Sequence, residues 1–150
     1  MTLEADSDLS RLDAPLVVKL AAAVSGVAGL FACLGGLQPA TSLIFRELWL
    51  AAVVWSLVAA GAAQLVLGFM LVRNRAWVAV GATVLAPITL LLSLGWAVFA
   101  LSNGAFSCLN VLAVPLGIGA TILAPLSIGP ARRATAARQR LADQGVDLGL

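Results

Sequence analysis

The sequence predicts an all-α integral membrane protein, a four-helix transmembrane bundle with the N- and C-termini in the cytoplasm. Composition is the first reason: 61% of the 150 residues are hydrophobic and 11% are charged, against roughly 45–50% and about 25% in soluble domains. A soluble domain of this size keeps much of its surface in water and could not hide so much apolar area. The position of the charged residues along the chain is the second reason, because residues 49–72 and 76–131 contain none.

Four apolar stretches divide the chain, and they cover residues 16–37, 48–72, 76–101 and 106–128. Each is long enough, since an α-helix needs ~20 residues to cross a ~30 Å hydrocarbon core. Helices are expected because a helix satisfies its own backbone hydrogen bonds in lipid. The alternating ~10-residue segments of a spanning barrel do not occur in the sequence. The four predicted spans therefore form one transmembrane domain over residues 15–129.

Turn-forming residues separate the apolar stretches. Residues 35–42 read GGLQPATS, residues 73–75 read RNR, and residues 102–104 read SNG. The Asn-Gly dipeptide in the last of these is a strong turn signal. Gly129 and Pro130 are predicted to end the fourth helix, because proline cannot continue the helical hydrogen-bond ladder.

Two polar tails flank the predicted domain. Residues 1–14 carry four acids and one arginine, a composition that is not typical of a secretory signal peptide. Residues 130–150 are basic and are predicted to begin as a short helix, because Pro130 is favourable in a first helical turn. Both tails are predicted to be cytoplasmic.

The basic residues predict this orientation. In a four-span chain, both tails and the 73–75 loop lie on one side of the membrane. That side holds Arg11, Lys19, Arg73, Arg75, Arg132, Arg133, Arg138 and Arg140, whereas Arg46 lies on the other. Cytoplasmic segments are enriched in Lys and Arg. The alanine-, leucine- and arginine-rich composition indicates a bacterial source, so the expected location is the plasma membrane, as a multi-pass protein of the bacterial inner membrane.

Cys33 and Cys108 are a candidate disulfide. The predicted topology places both thiols at similar depth near the outward face, where the compartment can be oxidising. A bond between them would join the first and fourth helices and close a loop of about 75 residues, worth roughly 4 kcal/mol in the chain-entropy model. The alternative is a pair of free cysteines that pack as small apolar residues.

Gln64 and Lys19 are candidate polar contacts inside the membrane. Gln64 lies in the middle of the second apolar stretch, where an amide usually forms a helix–helix hydrogen bond of ~0.6–2 kcal/mol. A contact with a transported substrate is the alternative. Lys19 lies one turn into the first helix. It either extends its ammonium group to the inner headgroups or provides an intramembrane charge for an anion or proton.

Six arginines are candidate contacts with lipid headgroups: Arg73, Arg75, Arg132, Arg133, Arg138 and Arg140. Basic residues next to a span attract anionic lipids. The alternative is that these residues serve only as the topology signal.

Small residues at four-residue spacing indicate close helix packing. On the first helix they are Ala22 with Gly26, and Ser25 with Gly29 and Cys33; on the second they are Ser56, Ala60, Gln64 and Gly68; on the fourth they are Ala113, Gly117 and Thr121. Such stripes let membrane helices approach closely. They fit contacts within one bundle and contacts with a partner subunit equally well.

These observations predict a non-enzymatic membrane protein without a cofactor or metal. The chain has no histidine, and the predicted spans contain no carboxylate, so no catalytic constellation can be assembled. Nucleic acid is not an expected partner, because no basic groove with interleaved aromatics is present. The leading hypothesis is a small structural or accessory subunit that packs with itself or a larger membrane protein in the lipid bilayer. The alternative is a small oligomeric channel or carrier for a neutral or apolar solute.

Overall fold

The computed structural model describes residues 12–43, 48–103 and 108–144. Within these ranges the chain forms five α-helices and no strand, which confirms the all-helical prediction for this part. The helices are α1 (Leu16–Leu43), α2 (Leu48–Leu71), α3 (Ala76–Ser102), α4 (Cys108–Leu126) and α5 (Ile128–Asp143). Helices α1, α2 and α3 are long and apolar enough to cross a membrane, and α4 with α5 gives a fourth candidate if this bent pair is one span. Residues 1–11 and 145–150 of the predicted tails, and Arg46, lie outside the described residues.

Helices α1 to α4 are arranged around a ring in the order in which they occur in the chain. Helix α1 packs mainly on α2 and α4, and α3 packs on the same two helices, so α1 and α3 lie diagonally across the bundle. The contacts between α1 and α2 run in opposite chain directions: Gly36 lies against Val58, and Gly26 lies against Gly68. These two helices are therefore antiparallel, as their short connection requires.

The core consists of three layers along the bundle. The layer at one end contains Val18, Leu71, Val78, Ala124 and Ala131, and the layer at the opposite end contains Ala32, Leu50, Val54, Leu57 and Trp96. The middle layer is made of the buried alanines Ala28, Ala86 and Ala120. A methyl group is the largest side chain that these positions offer, which favours close approach of the helix backbones in this layer.

Large apolar side chains cover the outside. Phe69 is 82% exposed, Leu91 68% and Ile122 61%, and they project from three different helices. Water-soluble monomers rarely show so much contiguous apolar surface, so this exterior supports the assignment of these helices as candidate membrane spans. Trp49 and Trp77 are also more than half exposed near the ends of α2 and α3, as expected for residues at a membrane–water interface.

The first helix is longer than the sequence predicted. The GGLQPATS segment was predicted to be a connection after residue 37, but α1 continues through Pro39 to Leu43. The reason lies in packing: a methyl group on Gly36 would be 2.7 Å from Cγ2 of Val58 on α2. Gly36 thus serves a close helix contact, and tertiary contact overrides its turn propensity.

The fourth helix ends earlier than predicted. It stops at Leu126, and α5 begins at Ile128 after a bend of 42° at Ser127. The hydroxyl of Ser127 donates to the carbonyl oxygen of Ala124 at 2.6 Å, which stabilises the bend. Pro130 falls in the first turn of α5, where its missing N–H costs no helical hydrogen bond. The predicted tail helix is therefore present and starts two residues before Pro130.

Candidate functional site

Glycines bring α1 and α2 into backbone contact. A methyl group placed on Gly29 would lie 2.5 Å from the backbone nitrogen of Leu65 and 2.6 Å from the carbonyl oxygen of Gly61. A methyl group on Gly68 would lie 2.6 Å from the backbone nitrogen of Gly26. These distances leave no room for a side chain, so the α1–α2 contact requires glycine on both helices.

The sequence prediction found only part of this contact. Gly29 and Gly68 lie in it as predicted, but Ser56 of the predicted α2 stripe is exposed and its hydroxyl donates to the carbonyl of Ala52. Gly61 was missed. The signal that could have found it is the seven-residue spacing of Gly61 with Gly68, which matches the spacing of Gly29 with Gly36 and is the repeat of helices that pack along their length.

A groove opens on the outer side of this contact, and we name it the α1–α2 groove. Its volume is about 350 Å³, and its lining is Lys19, Ala22, Ala23, Gly26, Val27, Leu30, Leu65, Gly68, Phe69 and Val72. A methyl group on Gly26 would meet no atom within 4 Å, so the floor of the groove is open. Phe69 projects beside that floor and is 82% exposed.

Lys19 lies at the end of the groove that is nearest to the 73–75 loop. Its side chain is exposed, and it lines the groove with Val72. The position favours the interpretation in which the aliphatic part of the side chain covers apolar surface while the ammonium group reaches the interface.

Gln64 is buried inside the bundle and lacks hydrogen-bond partners. It is 1% exposed, and neither Oε1 nor Nε2 has a partner among the described residues. The hydroxyl oxygen of the buried Ser25 on α1 is also without one. The predicted helix–helix hydrogen bond of Gln64 is therefore not formed, and each unpaired buried group costs about 1–3 kcal/mol.

Cys33 and Cys108 are both free thiols, so the predicted disulfide is not present. The backbone nitrogen of Cys33 lies 2.7 Å from the position of a methyl group on Gly61, which places Cys33 on the side of α1 that packs against α2. Cys108 is exposed at the start of α4. Cys33 thus belongs to the α1–α2 contact, whereas Cys108 lies on the surface.

Arg138 fastens α5 to the loop between α2 and α3. Its Nη1 and Nη2 groups donate to the carbonyl oxygens of Asn74 at 3.0 Å and Arg73 at 2.7 Å. Asn74 has φ of 52°, a left-handed conformation that asparagine adopts more readily than most residues. Thr135, one turn before Arg138, accepts a hydrogen bond from the backbone nitrogen of Ala76. Arg138, one of the predicted headgroup contacts, therefore uses two of its donors to hold the loop, and its guanidinium is fixed in one orientation.

The position of Arg138 perturbs its ionisation. Burial lowers the pKa of the guanidinium below its ordinary value, and the nearby charge of Arg75 lowers it further. A like-charged neighbour disfavours the protonated form, as does removal of water. Two arginines from different parts of the chain are thus held close together at this end of the bundle.

The remaining predicted headgroup contacts are exposed. Ala131, Ala134, Ala137 and Leu141 form the buried face of α5, so Arg132, Arg133 and Arg140 lie on its outer face. Arg73 and Arg75 are exposed in the neighbouring loop. The contact of these residues with lipid headgroups stays a prediction.

A second cavity lies between this loop and α5, and we name it the Arg75–Arg138 cavity. Its volume is about 450 Å³, and it is lined by Arg75, Ala76, Trp77, Thr135 and Arg138. The cavity adjoins the first residues of α3, the 27-residue helix that begins at Ala76. Sequence analysis identified both arginines but gave no sign that they share a cavity.

Comparisons with known proteins give no relative from which to assign a role. No protein-family model, curated protein or solved structure matches the chain. The fold and sites define a class by themselves: a small chain, all-helical in its described residues, with three to four candidate membrane spans, a glycine-packed helix pair and a basic end. The described residues contain no group of three or more His, Cys, Asp or Glu side chains that could hold a metal ion.

Proposed function

We propose that this chain is a multi-pass protein of the bacterial inner membrane that acts as a non-enzymatic accessory subunit. It packs against itself or against a larger membrane protein, with both termini in the cytoplasm. The observation that carries this proposal is the α1–α2 groove, an open, apolar surface beside a closely packed helix pair.

The distribution of charge supports the membrane placement. The charged side chains that the structure describes all lie at the end of the bundle that holds the start of α1, the 73–75 loop and α5. Apolar side chains surround the rest of the described helices. A basic end next to an apolar belt is the arrangement expected of the cytoplasmic side of a membrane protein.

The shape of the groove supports association with a second copy. Phe69 projects beside a floor that Gly26 leaves open, so a projection and a recess lie next to each other on one face. A two-fold dimer needs a self-complementary surface, and here each Phe69 would enter the groove of the other copy. Lipid tails are as apolar as side chains, so close packing of this kind is what drives helix association in membranes.

The experiment is sedimentation equilibrium of the full chain in a neutrally buoyant detergent. We expect a dimer for the natural sequence and a shift toward monomer for Phe69→Ala and for Gly26→Leu, which fills the groove. Ile122→Ala on α4 is the matched control, because Ile122 is exposed on another helix, and it should leave the dimer unchanged. A natural chain that is monomeric and co-purifies with no other membrane protein would exclude the proposal.

A second candidate function rests on Gln64. A carrier for a small neutral solute needs a polar group inside the bundle that does not already bond to the protein, and both amide atoms of Gln64 meet this description. The test is solute flux into liposomes that contain only this chain. Gln64→Leu should abolish such flux, and unchanged permeability with the natural chain would exclude a carrier.

A further inference from the structure

The Arg75–Arg138 cavity is lined by two positively charged side chains, and no described acidic residue lines it. Arg75 and Arg138 both line it, and the proximity of Arg75 disfavours protonation of Arg138. The described acidic residues, Asp13 and Asp143, are not among the lining residues. Bringing two like charges together without a counter-ion is unfavourable, so the arrangement calls for an anion.

The start of α3 adds to this positive potential. Arg75 is the N-cap residue of α3, and its side chain makes no capping hydrogen bond, because a guanidinium can only donate. The first backbone N–H groups of a helix carry a partial positive charge, which favours anions and disfavours cations at that position. An arginine is thus placed where a carboxylate or hydroxyl would ordinarily be preferred.

The guanidinium of Arg138 retains donors for a ligand. It has five N–H groups, and the two bonds to the loop use one each on Nη1 and Nη2. Its Nε atom is buried and has no partner among the described residues. The loop carbonyls hold the group in one orientation, so a ligand would not have to restrict a freely moving side chain.

We infer that the Arg75–Arg138 cavity binds a phosphate group. The ligand is an oxyanion with several acceptor oxygens, which suits two guanidinium groups better than a single carboxylate would. Arg75 and Arg138 bind the phosphate oxygens, the start of α3 adds favourable potential, and the indole of Trp77 forms an apolar wall. The phosphate belongs either to an anionic phospholipid headgroup or to free phosphate, and the half-exposed Trp77 at the apolar belt suits the former. This binding is independent of self-association through the α1–α2 groove.

The test uses the full chain in a phosphate-free, non-ionic detergent, with native mass spectrometry as the readout. One arm adds phosphatidylglycerol, a second adds a neutral glycolipid without phosphate, and a third adds inorganic phosphate as competitor. We expect phosphatidylglycerol to be retained in preference to the glycolipid, with affinity reduced about tenfold or more by Arg75→Gln. If inorganic phosphate displaces the lipid, the site recognises the phosphate group alone; if it does not, the lipid headgroup is the ligand.

The matched control is Arg132→Gln, which removes the same charge from the outer face of α5, away from the cavity. It should change lipid affinity by no more than about twofold, because single exposed charges contribute little. The side chain of Arg75 makes no capping hydrogen bond, and its backbone carbonyl still accepts from Ala79 in the variant, so Arg75→Gln should keep the thermal stability of the natural chain. Equal retention of both lipids, or an equal loss for both variants, would overturn the site.

Discussion

Nη2 of Arg138 lies 2.7 Å from the carbonyl oxygen of Arg73, although 65 positions of the chain separate the two residues. A second bond from the same guanidinium to Asn74 makes this a two-point attachment of α5 to the α2–α3 loop. The last described helix is therefore a structural part of the bundle. The arginines on the outer face of α5 therefore keep a fixed position relative to the rest of the bundle.

Removal of this attachment should release α5. We predict that Arg138→Met, which keeps the length of the side chain, lowers the stability of the α5 contact by roughly 1.5–3 kcal/mol, the usual range for hydrogen bonds to a charged group. The measurement is limited trypsin digestion at Arg132 and Arg133, with hydrogen exchange of α5. Arg140→Met is the control, since Arg140 is exposed, and equal protection in both variants would contradict the prediction.

The glycine contact between α1 and α2 should not tolerate even a methyl group. We predict that Gly29→Ala and Gly61→Ala each destabilise the bundle by about 1–3 kcal/mol, because the added carbon would overlap backbone atoms of the other helix. Thermal unfolding in detergent gives the measurement. Gly95→Ala is the matched control: nothing lies within 4 Å of its added carbon, and alanine favours the helix by up to ~1 kcal/mol. Stable variants at Gly29 and Gly61 would mean that the helices lie farther apart.

Gln64 should be replaceable by an apolar residue of similar size. We predict that Gln64→Met raises stability by about 1–3 kcal/mol, because it removes two buried polar atoms that have no partner. Gln64→Ala is the comparison, and it should destabilise because it leaves a cavity. Thermal unfolding distinguishes the two variants. A loss of stability in Gln64→Met would show that the amide is hydrogen-bonded in the membrane.

The two cysteines can be used to test both disulfide formation and the orientation of the chain in the membrane. We predict that Cys33 and Cys108 remain unbonded in protein from oxidising membranes, so a non-reducing gel and intact mass should match the reduced chain. An impermeant maleimide should label Cys108 in intact cells, because this residue is exposed at the end opposite to the arginines. Cys108→Ser supplies the background. Labelling that requires permeabilised cells would reverse the proposed orientation.

The sequence was sufficient to predict the ends of helices where polar residues interrupt the apolar pattern. Helix α2 ends at Leu71, one residue before the predicted end, and α3 begins at Ala76 as predicted, because the Arg73-Asn74-Arg75 turn interrupts the apolar pattern sharply. The end of α1 could not be predicted in the same way. Glycine is favoured both in turns and in close helix contacts, and only the contact of Gly36 with Val58 on α2 distinguishes the two uses.

The candidate sites also differ in whether local sequence or tertiary contact determines them. The burial of Gln64 and the exposure of Arg132 follow from position and helical spacing alone. The spacing of Arg138 with Ala131, Ala134 and Leu141 places it on the inner face of α5, but its bonds to Arg73 and Asn74 were not predicted, and it was interpreted as a headgroup contact. Arg75 and Arg138 line the same cavity because α5 is bent by 42° relative to α4 at Ser127. No local sequence pattern predicts this proximity.

The attachment of α5 also bears on the order in which the molecule is assembled. The glycine contact is available as soon as the chain has been synthesised through Leu71, so a helical hairpin can form while the remainder is still on the ribosome. The 73–75 loop, in contrast, gains its hydrogen bonds from Arg138 only after that residue has been synthesised, 65 positions after Arg73. Chains that terminate before Arg138 would lack these two bonds, so the carbonyl oxygens of Arg73 and Asn74 would lose their side-chain donor.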